Sequence, residues 1–354
     1  MNFEIEKKII GEGYPCYFIA DIAANHDGDL EKAIDLIYMA AESGVDAVKF
    51  QHFQAHSIIS KKGFNLLKDI NSHQTSWTKS VYDVYKDASL PIQWTIKLRE
   101  ACNKAKIAFM TSPYSIELVD LTYDYVDALK IGSGDITWVE LVRYIAEKGK
   151  PYMLATGASS WSDVVRAVDA GMSINAKLCL MQCNTNYTAS LDNFKYINLN
   201  VLKTYRKFYP ELVLGLSDHT IGFSTVLGAV TLGAKVIEKH FTDSRSREGP
   251  DHAFSVTPQE WMDMVTAIRE LENSLGDGIK RVEDNERETS ILQRRGVYAA
   301  RALNKGEKIS KKDLIMLRPA PEGAIYPYMV ENLIGRELKR SITDGGMIEW
   351  SDII

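Results

Sequence analysis

Short apolar segments built from strand-forming residues alternate with helical patterns eight times within the first ~270 residues of the chain. This alternation predicts a (β/α)₈ barrel, in which parallel strands line the centre and a helix covers each of them. An open doubly wound sheet is the alternative, but no GxGxxG motif follows the first strand. The eight segments are CYFIADIA (16–23), DAVKFQ (46–51), IAFMTS (107–112), ALKIGS (128–133), YMLATG (152–157), KLCLMQC (177–183), VLGLSD (213–218) and KVIEKHF (235–241).

Two of the segments between the predicted strands are a capped helix and a long insertion. After the first strand, apolar residues recur at helical spacing over 30–44, with Asp29 placed to cap the start of the helix and Gly44 to end it. The longest insertion, residues 52–85, lies between the second strand and its helix. It is long enough to form a lid or a substrate-binding loop.

The pattern changes beyond the barrel. Residues 276–295 are highly charged and carry no strong apolar stripe, as expected of a linker, and residues 296–354 contain short segments separated by turn signals. We therefore predict a catalytic barrel over 1–275, a linker over 276–295 and a small domain of strands and turns over 296–354. A domain of that size gains stability by docking on another surface.

Composition limits the classes of partner. The net charge of −5 and the pI near 5.9 give no reason to expect nucleic acid or an anionic membrane as a partner, and no segment is apolar enough to span a membrane. Four cysteines without metal-binding or disulfide-scaffold spacing, and the lack of a signal-like start, favour a reducing cytoplasm.

Polar residues follow the predicted strands, at the barrel end where active sites form. Lysines, hydroxyls and the turn KIGSGD suit a phosphate group, and histidines after neighbouring strands suit a divalent metal, although each residue alone is more often structural. These residues are Asp21, Asn25, His26, Lys49, Gln51, Thr111, Ser112, Lys130, Ser133, Asp135, Thr156, the NTNY of 184–187, the SDH of 217–219, Glu238, Lys239 and His240.

Several motifs resemble, in order and at appropriate spacing, those of the sialic acid synthases, including the synthases of N-acetylneuraminate, legionaminate and pseudaminate. They are FIADIAANHDGD, VDAVKFQ, LKIGSGD, ATG, GLSDHT, EKHFT and GPDHAFS. VDAVKFQ corresponds to the family pattern ADAVKxQ. The segment from RRGVYAARALNKGEKIS to the C-terminus is similar to the antifreeze-like (SAF) domain of that family. The resemblance covers nearly the whole chain.

The resemblance implies condensation of phosphoenolpyruvate with an open-chain N-acyl sugar of the mannosamine type, with C–O cleavage and release of phosphate. It implies a divalent metal, Mn²⁺ foremost and otherwise Mg²⁺ or Co²⁺, held by His219 and His240. The family positions that bind phosphoenolpyruvate match Lys49, Ser112, Lys130, Ser133, Thr185 and Ser217. Those that contact the sugar match Gln51, Tyr187, Asp251 and Arg318, and those with catalytic roles match Asp21 and Asp135 together with both lysines.

Four departures from the family pattern indicate a subgroup with its own sugar specificity. Asp21 and Asp135 stand where glutamate is usual, which shortens their reach by about 1 Å. Ala155 replaces a serine, and the tyrosine of QCNTNYTAS lacks its following proline. Legionaminate and pseudaminate synthases, which accept diacetamido trideoxy sugars, share this scaffold.

Arg318 carries a further implication of the resemblance. In the family this arginine reaches the sugar in the barrel of the partner subunit, which implies a homodimer with exchanged terminal domains. Two other functions stay open from the sequence: a class I aldolase with Lys130 or Lys239 as Schiff-base nucleophile, and a non-catalytic sugar-binding protein.

Overall fold

The computed structural model describes residues 1–66, 77 and 79–354, and the predicted barrel is present. Eight parallel strands pair in chain order, and the last of them, Ala234–His240, pairs with the first, Tyr17–Asp21, which closes the barrel. All eight predicted strand segments are confirmed. The strands are β3 (Tyr17–Asp21), β4 (Ala47–His52), β5 (Ala108–Pro113), β6 (Ala128–Ile131), β7 (Tyr152–Ala155), β8 (Leu178–Cys183), β9 (Val213–Asp218) and β10 (Ala234–His240).

Helices connect consecutive strands and cover the barrel. Asp29 caps the first of them by accepting hydrogen bonds from the backbone N–H groups of Glu31 and Lys32, and Gly44 follows its end with φ of +85°. The covering helices are α1 (Leu30–Glu42), α5 (Thr95–Ala105), α6 (Ile116–Thr122), α7 (Val139–Glu147), α8 (Trp161–Met172), α9 (Val201–Phe208), α10 (Ser224–Thr231) and α11 (Pro258–Ser274).

Alternate side chains of each strand point to opposite sides of the sheet, and an apolar cluster covers each side. One apolar cluster fills the space between strands and helices and includes Phe18, Val48 and Ile237. A second cluster fills the barrel interior and includes Tyr17, Ala47 and Val236. Residues that continue the interior face of a strand therefore point into the mouth of the barrel.

A short N-terminal hairpin precedes the barrel and was not predicted. Its strands, β1 (Phe3–Ile5) and β2 (Lys8–Ile10), pair antiparallel. Phe3, Ile5 and Ile10 join the interior cluster. The hairpin thus contributes apolar side chains to the barrel core, a role that three-residue strands do not reveal in the sequence.

The long insertion after β4 forms short helices where the structure describes it: α2 (Ala55–Ile58), α3 (Lys61–Leu66) and α4 (Val81–Ala88). Residues 67–76 and 78 of the predicted lid lie outside the described residues. No helix in the described ranges is long and apolar enough to cross a membrane.

The chain divides into two compact units, Met1–Gly276 and Asp277–Ile354. The second unit begins with α12 (Arg287–Gln293) and an antiparallel pair, β11 (Gly296–Ala299) and β12 (Leu314–Leu317). Its own apolar cluster includes Val297, Leu333 and Ile348. Short strands joined by turns were expected here, and the unit has that character.

Candidate active site

The interior faces of the strands change from apolar to charged toward their carboxyl ends. In β10, interior Val236 is followed by Glu238 and His240, and in β3 interior Tyr17 and Ile19 are followed by Asp21. Strand alternation thus brings most of the predicted site residues together in the barrel mouth. The strand residues so placed are Asp21, Lys49, Gln51, Ser112, Lys130, Ser217 and His240.

Lys49 lies at the centre of one half of this site. Its Nζ is 2.7 Å from Asp21 Oδ2 and 3.4 Å from Ser112 Oγ, and the residue is 2% exposed. Gln51 Nε2 donates to the same Asp21 oxygen over 3.1 Å. Burial raises the pKa of Asp21, but Lys49 and His240 outweigh it and hold that pKa at about 2. Asp21 is therefore an ionised partner of a buried cation.

Lys130 has a parallel arrangement in the other half. Its Nζ is 2.5 Å from Glu238 Oε1 and 3.4 Å from Ser217 Oγ, and Ser217 donates to the same oxygen over 3.1 Å. Burial raises the pKa of Glu238, but Lys130 and Lys49 outweigh it and keep that pKa below its usual value. Glu238 is among the residues predicted at strand ends, but no role was predicted for it. Its spacing of two residues from His240 was the available signal that it faces inward.

His219 and His240 face each other across the mouth, with ring centroids 5.3 Å apart. His219 Nδ1 lies 2.9 Å from the backbone carbonyl oxygen of Asn184. This contact engages Nδ1, so Nε2 is the remaining ring nitrogen. His240 Nδ1 is buried and has no hydrogen-bond partner among the described residues. Burial lowers the pKa of His240, although Asp21 and Asp251 oppose the shift.

Three side chains surround the histidine pair. The Tyr187 ring lies 4.5 Å from that of His219, and the Phe254 ring 4.9 Å from that of His240. Asp251 Oδ2 lies 4.0 Å from His240 Nδ1 and accepts a hydrogen bond from the backbone N–H of Ala24. Tyr187 and Asp251, which follow different strands of the barrel, thus line the same cavity.

The KIGSGD turn joins the site through Ser133, whose Oγ accepts a hydrogen bond from the backbone N–H of Gly157 over 3.0 Å. A Cβ on Gly157 would lie 2.6 Å from Thr185 Cγ2, so glycine is needed for this close approach. Burial raises the pKa of Asp135, in the same turn, to about 6. The structure therefore groups Ser133 and Thr185, with a weakly acidic carboxyl nearby in sequence.

Other strand-end residues have structural contacts. Lys239 Nζ pairs with Asp218 Oδ2 over 2.5 Å, and Asp218 also accepts from Thr225 of α10. This pair therefore lies on the helix-facing side of the barrel. Further structural contacts are made by Asn25 to the Phe241 carbonyl, His26 to the Gly28 N–H, Thr111 to His52 and Thr156 to the Met181 carbonyl.

A cavity of about 150 Å³ opens beside the histidines. Gln51, Tyr187, His240 and Asp251 supply its polar side. The rest of its lining is largely apolar or aromatic and comes mainly from the insertion. The wall residues are Phe53, Ile58, Trp77, Val84, Tyr85, Ala88, Tyr114 and Pro250. Arg318, the remaining predicted sugar contact, belongs to the second unit and is exposed there.

Comparison with known proteins identifies the family. The profile of the NeuB family matches residues 36–280, which include most of the barrel and the site. The chain belongs to the NeuB family. The profile of the SAF domain matches residues 294–354, in the second unit of this NeuB-family chain.

Several relatives of the chain are named as synthases. It is 37% identical over 349 residues to the N,N′-diacetyllegionaminic acid synthase of Legionella pneumophila, covering 97% of this chain and 96% of the relative. It is 30% identical over 358 residues to the pseudaminic acid synthase of Campylobacter jejuni, covering 99% and 98%. The crystal structure of N-acetylneuraminic acid synthetase from Leptospira borgpetersenii, in complex with citrate, matches with a TM-score of 0.72 and 27% identity, covering 82% of this chain and 95% of that chain. This NeuB-family chain is an enzyme of the sialic acid synthase family.

Proposed function

We propose that this enzyme condenses phosphoenolpyruvate with the open-chain form of an N-acyl mannosamine-type sugar, releasing phosphate and forming a 2-keto acid. The observation that carries the proposal is the pair of buried lysines, Lys49 and Lys130, beside two facing histidines and a cavity with polar and apolar walls. Each of these features suits one part of the reaction.

The lysines and nearby hydroxyls suit phosphoenolpyruvate, which carries a carboxylate and a phosphate. Lys49 lies beside Ser112, and Lys130 beside Ser217. Ser133 and Thr185 approach the same end of the barrel. Cations and hydroxyl donors at a barrel mouth are the usual means of holding such an anion. We therefore assign these six residues to phosphoenolpyruvate.

The histidines suit a divalent ion, Mn²⁺ by the family resemblance. His240 presents a buried imidazole nitrogen without a hydrogen-bond partner among the described residues, and the Asn184 carbonyl orients His219 as carbonyls orient metal-bound histidines. The described part of the chain contains no group of three or more potential ligands that could hold an ion. Two imidazoles would leave coordination positions for water and substrate. When bound, the ion supplies Lewis-acid polarisation of the sugar aldehyde.

The proposed reaction proceeds through formation of a carbon–carbon bond, addition of water and loss of phosphate. C3 of phosphoenolpyruvate attacks the aldehyde carbon, whose oxygen takes up a proton, and C2 becomes cationic. Water adds to C2 and loses a proton, which leaves C2 with a hydroxyl group beside the phosphate ester. The bond between C2 and the bridging phosphate oxygen then breaks, the C2 hydroxyl gives up its proton to become the keto group, and hydrogen phosphate leaves. Asp135 is our candidate for the base that accepts the proton of this water, since a carboxyl with a raised pKa is a better base than an ordinary one.

The apolar wall of the cavity bears on the choice of sugar. Phe53, Ile58 and Val84 offer no hydrogen bonds, so a methyl group or the methyl of an acyl group would contact them favourably. We expect phosphate release from phosphoenolpyruvate to be faster with 2,4-diacetamido-2,4,6-trideoxy hexoses than with N-acetylmannosamine. An assay of both acceptors side by side tests the function. No acceptor-dependent phosphate with any of these sugars would contradict it.

Replacing His219 with alanine is expected to weaken Mn²⁺ binding at least about 100-fold and to abolish most turnover, because it removes one of two proposed protein ligands. The fold should survive, since the side chain lies at a strand end. Electron paramagnetic resonance of free Mn²⁺ measures binding without relying on activity. His56→Ala, at an exposed position in α2, is the control. Full activity of His219→Ala in the presence of a chelator would disprove the metal site.

The raised pKa of Asp135 predicts a pH profile. Because burial raises that pKa to about 6, the carboxylate needed as base is present above this pH and is lost below it. We expect kcat/KM to fall as pH decreases through about 6, and Asp135→Asn to remove this limb together with most activity. A profile of wild-type kcat/KM that stays flat from pH 7 to 5 would exclude this role.

The aldolase alternative is less well supported. A Schiff-base lysine has to be a neutral amine in contact with substrate. Lys130 is paired with the ionised Glu238, and Lys239 faces the helices. We expect borohydride with pyruvate to leave the enzyme unlabelled, whereas covalent trapping on either lysine would favour the aldolase.

The proposal extends to the SAF unit through the family resemblance. Arg318 follows β12 and is exposed within its own unit, so its guanidinium is accessible to a partner. We propose a homodimer with exchanged terminal units, in which Arg318 of one subunit contacts the N-acyl group of the sugar bound by the other.

A further inference from the structure

Four charged side chains form what we call the floor of the site: Asp21, Lys49, Lys130 and Glu238. Their formal charges sum to zero. Lys49 is paired with Asp21 and Lys130 with Glu238, so two positive charges face two negative ones, all of them buried. Phosphoenolpyruvate or phosphate bound at the lysines would approach both carboxylates. Repulsion between like charges is strong at short distance in a partly dehydrated site. The carboxylates therefore influence how tightly an anion is held.

The two carboxylates differ in their contacts. Asp21 uses both oxygens: Oδ1 accepts from the backbone N–H of Ala23, and Oδ2 accepts from Lys49 and Gln51. Glu238 uses only Oε1, which accepts from Lys130 and Ser217. Its Oε2 is buried without a partner among the described residues. A buried charged oxygen without a donor is destabilising, and Oε1 alone is enough to orient Lys130.

We propose that Glu238 is an internal counter-ion that competes with bound phosphate for Lys130 and Ser217. It holds the lysine in position, and it limits the affinity of the site for anions, so that product phosphate is released. This inference rests on the proposed phosphoenolpyruvate site and adds a residue to it. Glu238 is here a positioning residue, and removal of its charge should strengthen anion binding rather than weaken it. A purely structural role predicts the opposite.

The barrel supplies a matched control on the adjacent strands β9 and β10. Lys239 and Asp218 form a second ion pair, as short and as fully buried as that of Lys130 and Glu238, on the helix-facing side. Glu238→Gln and Asp218→Asn therefore remove equivalent buried charges. Only the first faces the barrel mouth.

Calorimetric titration of the full-length enzyme with inorganic phosphate tests the proposal, with a chelator present and ionic strength fixed. We expect Glu238→Gln to bind phosphate on the order of tenfold more tightly than wild type, as the loss of one nearby like charge implies. Asp218→Asn should bind phosphate as wild type does. Unchanged or weaker binding by a folded Glu238→Gln enzyme would overturn the proposal.

If Glu238→Gln does not fold, a second pair of variants tests the proposal. Lys130→Met should lose phosphate affinity, and the double variant Lys130→Met with Glu238→Gln should regain much of it, because the floor of the site is again neutral. The double variant also avoids a buried unpaired charge. No recovery in the double variant would count against the counter-ion. If phosphate binding is indifferent to Lys49→Met and Lys130→Met, the phosphoenolpyruvate site itself is wrong; if the lysines matter and Glu238 does not, only this inference fails.

Discussion

Replacing Lys49 or Lys130 with methionine is expected to weaken phosphoenolpyruvate binding by about 2 to 4 kcal/mol, the usual effect of leaving a buried anion without one of its cations. That corresponds to a loss of affinity of roughly 30- to 1000-fold. Both lysines are buried in the barrel mouth, where water cannot replace the missing charge. Titration with phosphoenolpyruvate in the absence of sugar measures the effect directly.

The substitution also leaves Asp21 or Glu238 without its cation and will lower stability, so binding has to be compared among folded variants. Lys239→Met is the matched control, because it breaks the equally buried pair with Asp218 on the other face of the barrel. It should show a similar loss of melting temperature and unchanged affinity for phosphoenolpyruvate. Wild-type affinity in both Lys49→Met and Lys130→Met would contradict the assignment.

Two inactive full-length variants, His219→Ala and Arg318→Ala, are expected to restore activity to each other when co-expressed. Each lacks one component of a complete site, and Arg318→Ala alone should lower kcat/KM on the order of 100-fold by removing a charged contact to the acyl group. In an exchanged homodimer, a mixed pair has one intact site: the barrel of the Arg318→Ala chain with the terminal unit of the His219→Ala chain. Random pairing would give about a quarter of wild-type activity.

The same arrangement predicts that a chain ending near Leu275 keeps both histidines and loses most activity. Heterodimers can be isolated with two different affinity tags and their activity measured per site. Heterodimers without activity, or a full-length enzyme that sediments as an active monomer, would rule out completion of the site in trans.

Much of the site could be predicted because parallel strands impose alternation and a common end. Once Lys49, Lys130 and His240 were placed at strand ends, their meeting in the barrel mouth followed from the fold. Lys239 shows the limit of this argument. It stands at the same strand end, but one residue out of phase, so it points to the helices. A strand-end residue is a site residue only when it shares the interior face.

The remaining features of the site and the fold depend on contacts that leave no periodic pattern in the sequence. The roles of Phe53 and Tyr114 in the cavity wall come from loops whose conformation is set by tertiary packing. The pairing of Glu238 with Lys130 joins residues 108 positions apart, and a carboxylate at a strand end does not reveal its partner. The N-terminal hairpin escaped prediction because its three-residue strands are too short to show alternation.

We propose that phosphoenolpyruvate reacts by C–O cleavage after its C3 has attacked the sugar. Phosphoenolpyruvate labelled with ¹⁸O at the oxygen that bridges C2 and phosphorus distinguishes the possible outcomes, with mass spectrometry of both products. We expect label in phosphate only when the acceptor sugar is present, and we expect the C2 oxygen of the keto acid to come from water. Label retained in the keto acid, or labelled phosphate released equally well without the sugar, would contradict it.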